Sequence, residues 1–252
     1  VFTTLFLGGK EKRKFNLLSE GTMTDFAAYV FYVNRPDLLA RALNSFQDLW
    51  PQLTILDNSG EQLANDMSNT DSSLSTFVQA HTFLPPVPLN YSQAMNWMVK
   101  DATTKSADFI LHFHSDAVST NSNAVKELLT YARKVKTEER RWGCLWTFYD
   151  ILWCINPVAA RDVGGWDTEF TAYFTDQDLK RRFTLADWAC INTNIQGIRH
   201  EGSATINSDP GLRLLNGVTF PLRRSYYVSK WGGEPDHEQY HVPFNYPAVV
   251  QR

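Results

Sequence analysis

The first half of the chain alternates short apolar runs with helix-patterned segments, and this alternation restricts the possible folds more than any other feature. Phe26-Ala-Ala-Tyr-Val-Phe-Tyr-Val33 is rich in aromatic and β-branched residues and reads as a buried strand. Asn34-Arg-Pro36 ends it. Asp37 to Leu49 then places Leu38, Leu39, Ala42, Leu43 and Phe46 at helical spacing, with Pro36 suited to a first turn. A second strand, Leu53 to Leu56, runs into the turn Asp57-Asn-Ser-Gly60, and the polar stretch Glu61 to Ser75 follows as a loop or a mobile helix. A third strand is expected near Phe77 to Phe83. The next helix, Tyr91 to Ala102, carries Ala94, Met95, Met98 and Val99 on one face, and Asp108 to His114 is the fourth strand. This rhythm predicts an α/β fold with a parallel sheet, whose ligands bind at the carboxyl ends of the strands, here at Asn34, Asp57 and Asp116.

The second half is less regular. It suggests a helix from Asn123 to Val135, an aromatic strand pair across Gly143 to Asn156, a turn at Gly164-Gly165, a helix from Asp176 to Ala186 and a strand from Ile191 to Ile198. The first 25 residues, with the basic cluster Lys10, Lys12, Arg13 and Lys14, read as an edge element or arm. At 252 residues, with 43% hydrophobic and 20% charged, the chain can bury a core without disulfides or a structural metal. Cys144, Cys154 and Cys190 form no C-x-x-C pair and read as reduced core thiols. A net charge of −3 provides no basic face for a phosphate backbone, which argues against nucleic acid as a partner. The longest apolar runs fall far short of the roughly 20 residues of a membrane span, so the expectation is a soluble, cytoplasmic chain.

Three segments carry candidate chemistry. His112, His114 and Asp116 alternate, so a strand places all three on one face, a possible metal edge. Equally, Asp116 could cap a helix beginning near Asn121, and His112 reads as a core histidine. In Gly164-Gly-Trp-Asp-Thr-Glu-Phe170 and Thr175-Asp-Gln-Asp-Leu-Lys-Arg-Arg182, Thr175 and Asp178 form a variant capping box. That leaves Asp176, kept charged by the helix dipole, as a candidate general base, and Trp166 as either a flat face for a sugar ring or a core residue of the turn. His200 by itself reads as an exposed loop histidine, but joined to Asp116 it becomes a candidate second ligand, and a carboxylate, an imidazole and diphosphate oxygens suit Mn2+ or Mg2+. Tyr226 to Gly233 adds aromatic and cationic surface.

These segments together resemble the GT-A-fold glycosyltransferases, and within them the inverting family 2, over roughly residues 27 to 205. Val33-Asn34-Arg35-Pro36 is similar to the family's first nucleotide-binding segment, and Asp57-Asn58 to its base-contacting pair. Asn90-Tyr-Ser-Gln-Ala-Met-Asn96 resembles Gly-x-x-x-Ala-x-Asn, with Asn90 in place of a glycine as a left-handed position would allow. His114-Ser115-Asp116 looks like the Asp-x-Asp metal motif with its first Asp replaced, and Gly165-Trp166-Asp167 and Thr175 to Arg182 are similar to the family's acceptor and base motifs.

The resemblance implies one GT-A domain over 1–252, with about 26–120 holding the nucleotide sugar and about 121–252 forming the acceptor and catalytic half. It further implies Asp176 as catalytic base, Asp116 and His200 as ligands of Mn2+ or Mg2+, and Trp166 and Asp167 against a sugar. The implied partners are a nucleotide-diphosphate sugar, a UDP-sugar first among them, and a carbohydrate acceptor. A nucleotidyltransferase would usually carry a Gly-rich basic loop after the first strand, and none is present. A non-catalytic relative would be consistent with the altered Asp-x-Asp motif but not with retention of Asp116, Asp176 and His200 together.

Overall fold

The computed structural model describes residues 25–60, 62–69, 72–77 and 80–246. The expectation for the N-terminal arm lies outside these residues. The elements run β1 (Phe26–Tyr32), α1 (Pro36–Ser45), β2 (Leu53–Asp57), α2 (Gln62–Ser68), β3 (His81–Phe83), α3 (Tyr91–Thr104), β4 (Phe109–His114), β5 (Ala117–Ser119), α4 (Ala124–Thr137), β6 (Trp142–Thr147) and β7 (Tyr149–Ile155). There follow α5 (Pro157–Asp162), α6 (Thr175–Leu185), β8 (Ala189–Asn192), β9 (Ile198–His200), α7 (Ala204–Ser208) and α8 (Pro210–Trp231).

Among the described residues, seven strands form one sheet in the order β3-β2-β1-β4-β7-β6-β8. Strands β1 to β4 pair in parallel, as the alternation predicted, while β7 is antiparallel to both β4 and β6. The pleat divides the core. Ala28, Val30 and Tyr32 of β1 pack toward α1, α2 and α4, and Ala27 and Tyr29 pack toward α3, α5 and α6. Each side of the sheet is thereby covered, which accounts for the near-continuous apolar character of β1. A short antiparallel ribbon, β5 with β9, stands at the carboxyl end of β4.

Several local expectations are corrected. The helix expected from Asp37 to Leu49 stops at Ser45, and a 3-10 segment, Gln47–Gln52, carries the chain around Pro51, which cannot donate to a helical ladder. The third strand is confined to His81–Phe83, after a 3-10 turn at Ser75–Phe77. The strand expected from Ile191 to Ile198 is two strands in two different sheets. Asn90 is extended at φ −76°, not left-handed. It serves as a helix cap, accepting from the Gln93 amide at 2.9 Å while Gln93 Oε1 accepts from the Asn90 amide at 2.9 Å. Such a reciprocal cap holds a helix start by about 1 kcal/mol.

The capping box expected of Thr175 and Asp178 is absent. Phe174 occupies the cap position at φ 60° with no side-chain bond, Thr175 is already helical, and Asp178 is buried on the far side of α6. The aromatic and cationic stretch near the C-terminus is not surface. It belongs to the last turns of α8, where Tyr227, Lys230 and Trp231 are buried against Phe170 and Asp178. Among the described residues, no helix is long and apolar enough to cross a membrane.

Candidate active site

The site begins with the period of two along β4. Phe109, Leu111 and Phe113 enter the core on the α1 and α4 side, so Ile110, His112 and His114 turn to the side of α3, and Asp116 continues past the strand end. His112 is the core histidine expected. Its Nδ1 accepts from Trp153 Nε1 at 3.1 Å, and burial with the neighbouring His114 holds its pKa near 3, leaving the ring neutral.

His114 lies closer to the surface. Its Nε2 is 3.4 Å from Asp150 Oδ2, an oxygen that also accepts from the Tyr91 hydroxyl at 3.3 Å. Burial disfavours charge on His114, but Asp150, Asp116 and Asp176 outweigh it and raise its pKa. The reverse holds for Asp150. Burial opposes its charge, and the adjacent His114 imidazole, aided by His112 and Lys180, holds the carboxyl well below the usual range.

Asp150 is a site residue that the motif reading missed. The available signal was a lone charge in the otherwise apolar run Phe148 to Ile155. Strand alternation did not reveal its direction, because the pairing of β6 with β7 shifts register between Trp146 and Thr147, and Ile151 and Leu152 both face the α1 and α4 side.

The ribbon of β5 and β9 sets Ala117 opposite His200, which carries the imidazole to the preceding carboxylate. His200 Nε2 lies 3.1 Å from Asp116 Oδ1, and Asp116 Oδ2 accepts from the Ala204 amide at 3.2 Å. Asp116 is 5% exposed; burial opposes its charge, but His200 and His114 hold its pKa down. The alternative of a cap on the helix near Asn121 is not what the carboxylate does.

Donor atoms of His114, Asp116 and His200 all lie within 4.8 Å of one another. Adjacent ligands of an octahedral ion bound at about 2.1 Å stand about 3 Å apart, close to the His200–Asp116 separation. The carboxylate suits hard ions such as Mn2+ and the two imidazoles suit borderline ones, so the residues present fit a divalent cation.

Asp176 projects from the first turn of α6, after two successive left-handed residues, Tyr173 at φ 42° and Phe174 at φ 60°. The second is held by packing of Phe174 on Phe220 and Tyr227 of α8. Asp176 is 7% exposed, with Lys180 Nζ 3.7 Å from its Oδ2. The helix dipole was expected to keep it charged. Instead, burial and the charge of Asp150 outweigh Lys180 and push its pKa up to about 7.

At the ends of β1 and β2, the Asn58 amide donates to Tyr32 O at 2.7 Å. Asn34 Nδ2 donates to Thr205 O at 3.3 Å, joining this end of the sheet to the segment after His200, while its Oδ1 is buried without a partner among the described residues. Arg35 is left-handed at φ 66° and pairs with Asp37 at 2.7 Å. Asp57 accepts from both the amide and the hydroxyl of Ser59, and Asn58 bonds in both directions with the Leu89 backbone, fastening the loop that leads into α3. Val33 lies in the bend after β1, and Ser115 is buried between His114 and Asp116.

Trp166 and Asp167 require correction. The indole of Trp166 is 2% exposed and meets Trp153 edge-on with ring centres 5.8 Å apart, leaving no open face for a sugar. Asp167 is taken up by Lys230 Nζ at 2.6 Å and the Tyr226 hydroxyl at 3.0 Å. Asn96 is likewise a clamp: its Oδ1 accepts from the Trp166 amide at 2.7 Å and its Nδ2 donates to Trp166 O at 2.8 Å. Gly165 fits beneath it at φ 73°, and an added Cβ would clash with Asn96 Oδ1. Gly165→Ala is therefore expected to cost about 1–3 kcal/mol, measurable by urea denaturation.

No family model and no curated protein matches this chain. Solved structures do. The mannosyltransferase PcManGT of Pyrobaculum calidifontis, in complex with GDP-Man and Mn2+, superposes with a TM-score of 0.52 at 13% identity, over 79% of this chain and 64% of that one. TarS of S. aureus, in complex with UDP-GlcNAc, superposes with a TM-score of 0.51 at 13% identity, over 71% of this chain and 60% of that one. The chain thus spans less than two thirds of the length of either. With its mainly parallel sheet and flanking helices, the chain has the fold of the GT-A glycosyltransferases.

Proposed function

We propose that the protein transfers a sugar from a nucleotide-diphosphate sugar to an acceptor hydroxyl, with inversion at the anomeric carbon and with the help of Mn2+ or Mg2+. The observation that carries this reading is the convergence of Asp116, His200 and His114 from two separate stretches of chain at the carboxyl end of β4, with Asp176 near enough to raise the pKa of His114. Asp116 and His200, with His114 as a third donor, would hold the cation. When bound, it would supply positive charge to a diphosphate leaving group.

The remaining work falls to the chain's own groups. Asn34 presents an unpartnered carbonyl oxygen at the end of β1, beside Asp57 and Asn58 at the end of β2, where a nucleoside of a UDP-sugar or a related donor would lie. Asp150 orients His114 and, by its charge, keeps Asp176 basic. Asp176 takes the proton of the attacking hydroxyl, and a base with a pKa near 7 is well matched to neutral pH.

The test is thermal denaturation with UDP, GDP, dTDP and CDP, each with Mn2+, Mg2+ or EDTA. A ligand at a hundred times its Kd stabilises by about 2.7 kcal/mol. One nucleotide is expected to raise Tm only when the metal is present, and Asp116→Ala is expected to abolish that metal-dependent part. An equal shift in EDTA, or no shift with any nucleotide, would overturn the reading.

A further inference from the structure

A cavity of about 740 Å3 opens beside the base, between the hairpin of β6 and β7, the outer face of α6, the loop from β8 to β9 and the segment near Asp236. Its size lies within the roughly 300–1,000 Å3 usual for small-molecule sites. Lys180 connects it to the proposed chemistry, with Nζ 3.7 Å from Asp176 Oδ2 and 4.6 Å from the centre of the Trp146 ring on the cavity wall.

The lining has a particular chemistry. Phe148 and Tyr149 form an exposed aromatic pair, edge to face with centres 4.8 Å apart, at the edge of the cavity. The same cavity is lined by uncharged amides, Gln177 on α6, Asn192 at the end of β8, and Asn194 and Gln196 on the loop after it. Two polar atoms of this wall are buried without partners among the described residues, the acceptor Gln177 Oε1 and the donor Arg181 Nε. A buried polar group left unpaired is costly, so both side chains gain by turning these atoms toward the cavity they line when a ligand there supplies the missing bonds.

The charges of the wall balance, Lys180 and Arg181 against Asp236 and Glu238. Lys180 faces Asp176, and Arg181 Nη2 donates to Tyr240 O at 2.7 Å. Asp236 and Glu238 line the same cavity and disfavour an anion. Aromatic faces for C–H surfaces, planar amides for neighbouring hydroxyls and no net positive charge together describe a neutral carbohydrate.

We infer that this cavity binds the acceptor, and that the acceptor is a neutral glycan. One of its sugars would lie on Phe148 and Tyr149, and Gln177 and Arg181 would turn toward it, Gln177 Oε1 accepting from a hydroxyl and Arg181 Nε donating to an oxygen. This assignment rests on the transferase reading for the role of the bound sugar, but not for its binding.

The experiment is saturation-transfer NMR on the full chain with maltose, cellobiose, lactose and N,N′-diacetylchitobiose, against glucose 6-phosphate and glycerol 3-phosphate. At least one disaccharide is expected to receive saturation in its ring protons. Phe148→Ala and Gln177→Leu are each expected to weaken its binding by about tenfold or more. Because Gln177 Oε1 has no partner to lose, Gln177→Leu is expected to leave Tm unchanged or raise it, whereas a purely structural glutamine would lower Tm. Saturation of the phosphorylated probes alone, of no probe, or of disaccharides equally in wild type and both variants would overturn the inference. If disaccharide binding behaves as expected but no nucleotide binds, the carbohydrate site stands and the transferase reading falls. If a nucleotide binds with metal but no disaccharide does, only the acceptor assignment falls.

Discussion

Asp176→Asn is expected to lower the turnover of sugar transfer by about 10²–10⁴-fold while leaving nucleotide binding within a few fold. The substitution keeps the shape of the side chain and removes only its ability to take a proton. Single-turnover assays with a labelled sugar nucleotide would separate these effects, and near wild-type turnover would show that Asp176 is not the base.

The pH dependence follows from the raised pKa. In the folded chain Asp176 loses its proton near pH 7, so kcat/KM of the wild type should rise with pH up to about 7 and level off above it. The same shift has a sign in stability. An unfolded Asp ionises near 3.9, so between about 4 and 7 the folded chain holds a proton that the unfolded chain has released, and stability falls as pH rises through that window. Asp176→Asn should therefore be close to neutral in stability below pH 4 and stabilising above pH 7. A variant that destabilised equally at both pH values would contradict the assigned environment.

Lys230→Met is expected to destabilise the fold by about 3–5 kcal/mol, a fall in Tm of roughly 6–20 °C. Lys230 Nζ lies between Asp167 Oδ2 at 2.6 Å and Asp178 Oδ1 at 2.7 Å, and Asp178 is fully buried. Asp178 also accepts from Trp231 Nε1 at 2.9 Å and from Arg182 Nε at 2.8 Å, so the end of α8 is fastened to α6 through one carboxylate. Removing the ammonium leaves two carboxylates facing each other with Arg182 as the remaining cation. Burial opposes the charge of Asp167, but Lys230 outweighs it and keeps its pKa low. That contribution is present above the unfolded pKa and lost as pH falls through the folded one, so the variant should also show a shallower loss of stability in acid. A cost below about 1 kcal/mol in urea denaturation would mean that the cluster relaxes on its own.

The parallel half of the sheet was legible because its signal is local. Phe26 to Val33 and Asp108 to His114 carry enough apolar and β-branched residues to be strands in almost any context, and Asp116 follows a run that leaves it as the first carboxylate at a strand tip. Asp116 could be singled out as a carboxylate at a strand tip and Asp176 as one at a helix start, whereas His200 acquired a role only when joined to Asp116. The long helix α8 escaped notice because Gly211, Gly217 and Pro221 interrupt its pattern, and its stability comes from packing on Phe170 and Phe174.

The sequence by itself determined the alternation of strands and helices, the face shared by His112, His114 and Asp116, and the placing of Asp176 at a helix start, all properties of spacing along one element. Only the tertiary structure decided that Trp166 is core, that Asp167 and Asp178 belong to the clamp on α8, that Asp150 stands beside His114, and that the pKa of Asp176 goes up instead of down. The reason is physical. Periodicity fixes the direction of a side chain relative to its neighbours in sequence, whereas burial, the field of a distant charge and the identity of a hydrogen-bond partner depend on residues tens of positions away, brought close by the closing of the sheet.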